Sequence, residues 1–395
     1  MSFSHDVVIA GGGSPGLTLA LLLAQAGLRV AVIDPAPLSG LKDSKPEGRT
    51  SALMQSSIRT LERAGIWDQA TLHGAPLEIL RIIDDSYRHR ERQIESDFPA
   101  SDIGLEYFGV NIPNNVLRAV LAQAASRNDN IDLHEKAALD HFIADDFGVT
   151  VHLTNNKQLR ARLLVGADGR QSAVREQSNI PSWQHQYRQT AMTCLIRHTL
   201  PHHNVSTEFH RSGGPFTLVP MPGLVSSVVW VETDDDAEDF MKLSRQDFER
   251  ALQDRSDNRL GRITLETMPQ SCPLIGLRAH RLISKRVTLA AEAAHVLSPL
   301  GAQGLNLSLR DVDTLADIVI ESARTGLDIG TQSVLQRYES ARRGDILLRS
   351  AGTDGLTRFV SHKMTPLHEL RRSGLRTLSV IEPLRHLAMQ RGMAV

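Results

Sequence analysis

Three short segments carry the residues most able to do chemistry. The first is Gly11-Gly-Gly13-Ser-Pro-Gly16, which contains the spacing G-x-G-x-x-G and lies between the apolar run Asp6–Ala10 and the apolar stretch Leu17–Ala26. A glycine at Gly11 permits a tight turn, one at Gly13 lets backbone approach a pyrophosphate, and one at Gly16 lets helix and strand pack closely. A helix beginning there offers free N–H groups and a partial positive charge to phosphate oxygens. Asp34 closes a second apolar run, Val30–Ile33, and is placed to accept hydrogen bonds from ribose hydroxyls. Strand, glycines, helix, strand and acid in this order predict a dinucleotide site, for NAD or FAD. Asp34 disfavours a 2′-phosphate there, because two negative groups would repel.

The second segment is Leu163-Leu-Val-Gly-Ala-Asp168-Gly169-Arg-Gln-Ser172-Ala-Val-Arg175, a strand, a tight turn and a basic stretch. The third runs from Arg286-Val-Thr-Leu-Ala-Ala-Glu292-Ala-Ala-His295 through Pro299-Leu-Gly301-Ala-Gln303-Gly304-Leu-Asn306. It opens a helix with Leu305, Leu309, Val312, Leu315 and Val319 at helical spacing. No Ser-His-Asp set, zinc spacing or paired-carboxylate motif stands out, and no catalytic side chain is assigned; His295 and Pro299 are the weak candidates.

The elements that position these segments are far apart in sequence, at 11–34, 163–175 and 286–306, so one cofactor domain has to be assembled from separate pieces. Between them, Met192–Thr233 alternates, as in Ser227-Val-Val-Trp-Val-Glu-Thr233, and reads as antiparallel strands with one buried face. Asp234-Asp-Asp236 reads as a solvated turn. The expected architecture is α/β (α+β): a Rossmann-like FAD-binding domain of discontinuous segments (1–70, 101–176 and 272–335), an inserted antiparallel β-sheet substrate domain (71–100 and 177–271) and a C-terminal helical segment (336–395).

Composition narrows the class. The chain has 395 residues, is 41% hydrophobic before its 28 glycines are counted, and can bury a large core. Lys+Arg (44) and Asp+Glu (45) nearly cancel, which argues against a broad nucleic-acid surface. Cys194 and Cys272 stand alone, as suits a reducing compartment. No signal peptide is visible, and the longest apolar stretch falls short of the roughly 20 residues that span a bilayer.

The three segments together resemble the single-component FAD-dependent aromatic hydroxylases, the para-hydroxybenzoate hydroxylase-like monooxygenases. Asp168-Gly169 with its flanks matches that family's GADGxxSxVR, and the Glu292 segment matches GDAAHxxxPxxGQGxN, with Ala291-Glu292 in place of Gly-Asp and Ala302 in place of the first glycine of Gly-Gln-Gly. The resemblance is closer to the ubiquinone-biosynthesis branch, through Arg49-Thr-Ser-Ala-Leu-Met, Leu61–Trp67, Gly214–Pro220, Ser226–Trp230 and Leu307–Val312. It implies FAD as cofactor and NADH or NADPH as co-substrate. Oxygen would add at the flavin C4a and pass to the ring of a polyprenylated phenol. The alternatives are a hydroxylase of a small soluble aromatic compound and a non-catalytic scaffold of the ubiquinone-biosynthesis complex.

By the same resemblance the cofactor is held by Gly11, Gly13, Gly16, Asp34, Arg49, Arg118, Asp168, Glu292, Gly301, Gln303, Gly304 and Asn306, with Asn114 as an alternative to Arg118. Asp168 orders its turn. Arg175 either attracts the phosphates of the nicotinamide cofactor or pairs with a nearby acid. Residues 358–395 carry seven Lys and Arg against two acids among many apolar residues. Such a stretch either packs on the core or touches an anionic membrane surface or the other ubiquinone-biosynthesis enzymes. The implied location is cytoplasmic, peripheral to the inner membrane.

Overall fold

The computed structural model describes residues 3–38, 47–85, 93–211, 213–298, 303–361, 372–375, 377 and 381–393. The cofactor part is built on a six-stranded sheet. Its order is β19 (Ile283–Ser284), β20 (Val287–Leu289), β12 (Leu163–Gly166), β1 (Val7–Ala10), β2 (Val30–Asp34) and β8 (Ile131–Glu135). All neighbours pair in parallel except β19 with β20. Strands β1, β12 and β20 are buried along their whole length, which is why they read as continuous apolar runs without alternation. Helices α1 (Ser14–Gln25), α4 (Asn114–Ser126) and α8 (Gln303–Arg324) share one core with this sheet. So does a three-stranded antiparallel sheet of β9 (Leu139–Ala144), β10 (Val149–Leu153) and β11 (Gln158–Ala161).

The second part is a nine-stranded sheet. Its path runs β21 (His295–Val296), β18 (Gln270–Ala279), β13 (Ser182–His198), β16 (Val225–Thr233), β15 (Phe216–Met221), β14 (Val205–His210), β5 (Ile79–Asp84) and β6 (Ile94–Pro99); β17 (Ile263–Leu265) pairs with the end of β13. It is antiparallel apart from the β14–β5 pair. Alternation works as expected: Val228 and Trp230 face a core capped by α6 (Asp234–Met241) and α7 (Arg245–Arg255), while Ser227 reaches the other face to bond Thr50 at 2.8 Å. The register of β13 against β18 slips between Gln186 and Thr190, where Arg188 adopts φ 54°.

A small sheet of β3 (Thr50–Met54), β7 (Gly109–Pro113) and β4 (Ala75–Leu77) lies where the two parts meet. Helix α2 (Gln55–Arg63) follows β3 directly, and α3 (Trp67–Ala70) and α5 (Ala173–Gln177) are single short turns. The chain then forms α9 (Gln332–Ser361) and α10 (Glu382–Met393).

Two expectations change. Asp234-Asp-Asp236 is the first turn of α6 rather than a free turn. Thr233 caps it by accepting from Asp236 N–H, and the carboxylates sit at the positive end of the helix. Residues 272–279, expected in the cofactor part, run in the large sheet as β18, because their partner is the long strand β13. In the tail, Arg385 lies 2.9 Å from Asp102 and Met389 is buried beside Phe98 and Phe108, so α10 touches the protein through these two side chains while Leu384 is exposed. Among the described residues no helix is long and apolar enough to cross a membrane.

Candidate functional site

Strands β1, β12 and β20 are adjacent and parallel, and each ends in one of the three segments singled out by sequence. Backbone bonds tie the ends together: Ala167 N–H donates to the Ala10 carbonyl at 2.7 Å, and Ala290 N–H to the Gly166 carbonyl at 2.9 Å. The chain leaves β1 for β2 on one side and returns as β12 on the other. Open α/β sheets form their ligand crevice at such a reversal, beyond the carboxyl ends of the strands.

The glycine loop separates into two structural positions and one open one. A Cβ on Gly11, at φ +112°, would lie 2.1 Å from the Ala167 carbonyl oxygen, and one on Gly16 would lie 2.0 Å from the Gly11 carbonyl oxygen. Both glycines are therefore required by packing between the loop, β12 and α1. A Cβ on Gly13 meets only Pro15 Cδ at 3.8 Å, so this residue, the N-cap of α1, faces open space. That opening lets an anionic group reach the first amides of α1, as a dinucleotide pyrophosphate requires.

Asp34 is buried beneath the loop. It accepts from Gly12 N–H at 2.7 Å and Ala36 N–H at 2.8 Å, and the Arg118 guanidinium lies 3.2 Å away. Arg118 Nε also donates to the Gly12 carbonyl at 2.8 Å. A carboxylate has about four acceptor positions, so room for a ribose hydroxyl is left. Of the two α4 candidates, Arg118 is at the loop, whereas Asn114 accepts from Ser51 Oγ at 2.6 Å. Arg49 is exposed just before β3, and its carbonyl accepts from Asn114 N–H at 3.0 Å.

The turn after β12 is organised by Asp168. One oxygen accepts from Ser172 Oγ at 2.5 Å, the other from Val174 N–H at 3.1 Å, and burial pushes the carboxyl up from its ordinary value despite these bonds. Arg175 joins the same turn. It is buried and donates to the Ala293 carbonyl at 2.9 Å and the Arg170 carbonyl at 2.8 Å, stitching the second segment to the third. Burial lowers its pKa, against the opposing pull of the nearby carboxylates of Asp168 and Glu176.

Beyond β20 the third segment makes a single 3₁₀ turn, Ala291–Ala293, that presents Glu292 to solvent. Ala291 sits at φ 56°, in the left-handed region that glycine adopts freely. This accounts physically for the family's glycine at that position. The strained residue is anchored by its N–H, which donates to Asp311 Oδ2 at 3.0 Å.

His295 is held by the same acid. Its Nε2 lies 2.5 Å from Asp311 Oδ2, both residues are essentially fully buried, and Arg342 Nε donates to Asp311 Oδ1 at 2.8 Å. Burial acts to raise the Asp311 carboxyl, but His295 and Arg342 outweigh it and hold it below the ordinary carboxylate range. This arrangement ties the His295 ring into a network that fixes the Ala291–His295 turn. Sequence reading missed Asp311 and Arg342 as the hub. Asp311 carries no local signal beyond its place in an apolar helix, and Arg342 comes from another helix.

At the start of α8, Gln303 accepts from Arg349 at 2.7 Å, and a Cβ on Gly304 would meet nothing. The Asn306 carboxamide is a junction between elements. It accepts from Met54 N–H at 2.9 Å and Ser57 Oγ at 2.6 Å and donates to the Ala52 carbonyl at 2.8 Å, so it clamps β3 and α2 onto α8. Pro299 and Gly301 lie outside the described residues.

A family model described as an FAD binding domain matches residues 4–345. Ubiquinone hydroxylase UbiL of Rhodospirillum rubrum is 34% identical over 391 residues, 98% of this chain and 89% of its own. The 3-demethoxyubiquinol 3-hydroxylase of Escherichia coli is 28% identical over 372 residues, 94% of this chain and 93% of its own. Among solved structures, p-nitrophenol 4-monooxygenase PnpA of Pseudomonas putida superposes with a TM-score of 0.82 at 19% identity, covering 100% of this chain and 99% of that one. PqsL of Pseudomonas aeruginosa, in complex with 2-aminobenzoylacetate, gives 0.80 at 21%, covering 94% and 99%. The two structures establish likeness of fold.

Proposed function

The chain belongs to the FAD-binding family that contains the ubiquinone hydroxylases, and from that membership we propose that it hydroxylates the aromatic ring of a polyprenylated phenol in ubiquinone biosynthesis, using NAD(P)H and O2. The observation that carries the reading is the convergence of three loops at the ends of β1, β12 and β20, with Gly13 open and Gly11 and Gly16 closed. Bound FAD would supply the redox chemistry: two electrons from NAD(P)H to activate O2, one atom of which would enter an electron-rich ring while the other leaves as water.

In this reading the chain's own residues bind and orient. The α1 amides beside Gly13 hold the pyrophosphate, and Asp34, set by Gly12 and Arg118, holds a ribose. Asp168 fixes the turn the cofactor passes, with Arg49 beside it. Glu292 reaches a ribitol hydroxyl, and the first turn of α8, Gln303 and Gly304, faces the flavin ring, where its amides favour negative charge on the reduced ring. The large sheet covers the flavin and walls the substrate cavity, and the enzyme touches the membrane that holds its substrate.

The test is the lipid quinone profile of a strain lacking the gene, read by mass spectrometry. The expected result is accumulation of a prenylated phenol short of one or more oxygens, restored by the wild-type gene. A normal profile, together with no phenol-stimulated NAD(P)H oxidation by the purified protein, refutes the proposal.

A further inference from the structure

A second group of polar side chains lies on the large sheet, outside the cofactor crevice. Strands β14, β5 and β6 are neighbours, with His210 opposite Asp84, and Ile82 opposite both Glu208 and Ser96. Phe209 points into the core under α7. Alternation therefore puts Glu208 and His210 on the other face, together with Asp84 and Ser96. Around them on that face are Leu80, Ile82, Phe98 and Val219, packed with Ala52 and Met54 of β3. Because β3 is the strand that Asn306 clamps to α8, the group lies in the gap between the large sheet and the cofactor part. The C-terminal segment closes the gap: Arg372 lies 3.5 Å from Asp84, and Met389 joins the apolar residues.

Burial makes this group unusual. Ser96 is 3% exposed, His210 6% and Asp84 0%. Yet among the described residues Ser96 Oγ and His210 Nδ1 have no hydrogen-bond partner. Each such atom costs about 1–3 kcal/mol when left unpaired, so two on one face call for a third party. The other His210 nitrogen, Nε2, lies 2.7 Å from Glu208 Oε1. With Nε2–H donated to that carboxylate, Nδ1 presents a lone pair, ready to accept a hydroxyl proton.

We propose that His210, oriented by Glu208, is the base that takes the hydroxyl proton of the substrate ring, with Ser96 bonded to the same oxygen. The assignment rests on the phenol reading above. The ring O–H bond breaks with its electron pair left on oxygen, and an N–H bond forms at Nδ1. Glu208 stabilises the imidazolium that results. The phenolate so formed is richer in electrons ortho and para to the oxygen, which is what oxygen transfer to a ring carbon needs. Arg372 offsets the charge of Asp84, the other acid facing His210.

The test uses the full-length, FAD-loaded protein and a short-chain prenylated phenol. A bound phenolate absorbs at longer wavelength than a phenol, so titration gives an ultraviolet difference band. Wild type is expected to show the band and to release hydroxylated phenol. H210N is expected to lose the band and about 100-fold or more in kcat for that product, with flavin content retained. E208Q keeps the geometry but not the charge and loses roughly 10-fold in kcat with KM held; S96A raises KM instead. Should H210N fail to fold, E208Q and S96A carry the same split. A wild-type band and rate in H210N, or in E208Q if H210N does not fold, overturns the assignment alone. A wild type that neither binds nor hydroxylates the phenol overturns the substrate reading, and this assignment with it.

Discussion

Replacing Gly13 by valine separates cofactor binding from folding. The backbone at Gly13 has φ −75° and ψ 176°, which any residue adopts, and the Cβ of the new side chain would meet only Pro15 Cδ, at 3.8 Å. Valine is a poorer N-cap than glycine, so G13V is expected to cost the fold about 1 kcal/mol or less. The cost to the cofactor is far larger. The side chain occupies the space through which a pyrophosphate reaches the α1 amides. Losing two charge-assisted hydrogen bonds at about 1.5–3 kcal/mol each removes about 3–6 kcal/mol, or roughly 10²–10⁴ in Kd. The assay is flavin titration of the apoprotein by fluorescence, beside a thermal melt. G16A is the control with the opposite signature, because its Cβ would sit 2.0 Å from the Gly11 carbonyl and the fold itself should fail. A G13V protein that melts like wild type and binds FAD within about threefold of it would refute the pyrophosphate reading of this loop.

The third segment offers further tests. E292A is expected to weaken FAD about tenfold, for loss of one hydrogen bond to a charged group, with the melt unchanged because Glu292 is exposed; equal Kd values would remove Glu292 from the site. A291G relieves the left-handed strain at φ 56° and should raise stability by about 1 kcal/mol in urea unfolding. D311N leaves Arg342 buried beside a neutral amide and should cost about 3 kcal/mol at pH 7. Because the Asp311 carboxyl is held below its ordinary value, its contribution is complete above about pH 4 and fades only as pH falls through that lowered value. Urea melts of wild type and D311N should therefore converge on acidification. Finally, burial pushes the Cys194 thiol up to about 12, so a thiol reagent at pH 8 should label Cys272 in the folded protein and Cys194 only after unfolding; mass spectrometry of the labelled peptides checks this.

The cofactor crevice was legible because its rules are local. A glycine that must accept positive φ, a carbonyl that must pass within contact of the next helix and an acid at a strand end all fall in one short stretch, between Gly11 and Asp34. They leave a pattern such as Gly11 to Gly16 that survives without knowledge of the fold. The continuous apolar runs of β1, β12 and β20 marked buried parallel strands for the same reason. What was not legible is the work of residues that meet only after folding. Asp311 and Arg342 stand 31 positions apart on two helices. Asp311 interrupts the apolar face of its helix between Leu307 and Leu315, but nothing along the chain named Arg342 as its partner or the His295 turn as what they anchor. Arg175 looked free for phosphate because its partners are backbone carbonyls, which carry no sequence signature at all.

The same distinction explains why the proposed substrate wall stays hidden while the glycine loop is plain. His210 meets Asp84 through a parallel pairing of strands more than a hundred residues apart, Val205 against Ile79, inside a sheet that is otherwise antiparallel. A one-residue change of that register would move Glu208 and His210 relative to Ser96 and Asp84 while leaving every local pattern intact. A dinucleotide is bound by backbone and needs glycines at fixed offsets, so its site is constrained along the chain. A ring hydroxyl is bound by side chains standing on separate strands, so its site is constrained across the sheet. A fold of this kind can exchange the side chains on that wall, and with them its substrate, without disturbing the loops that hold the cofactor. This is consistent with one architecture at 19–21% identity serving a nitrophenol monooxygenase and a protein that binds 2-aminobenzoylacetate.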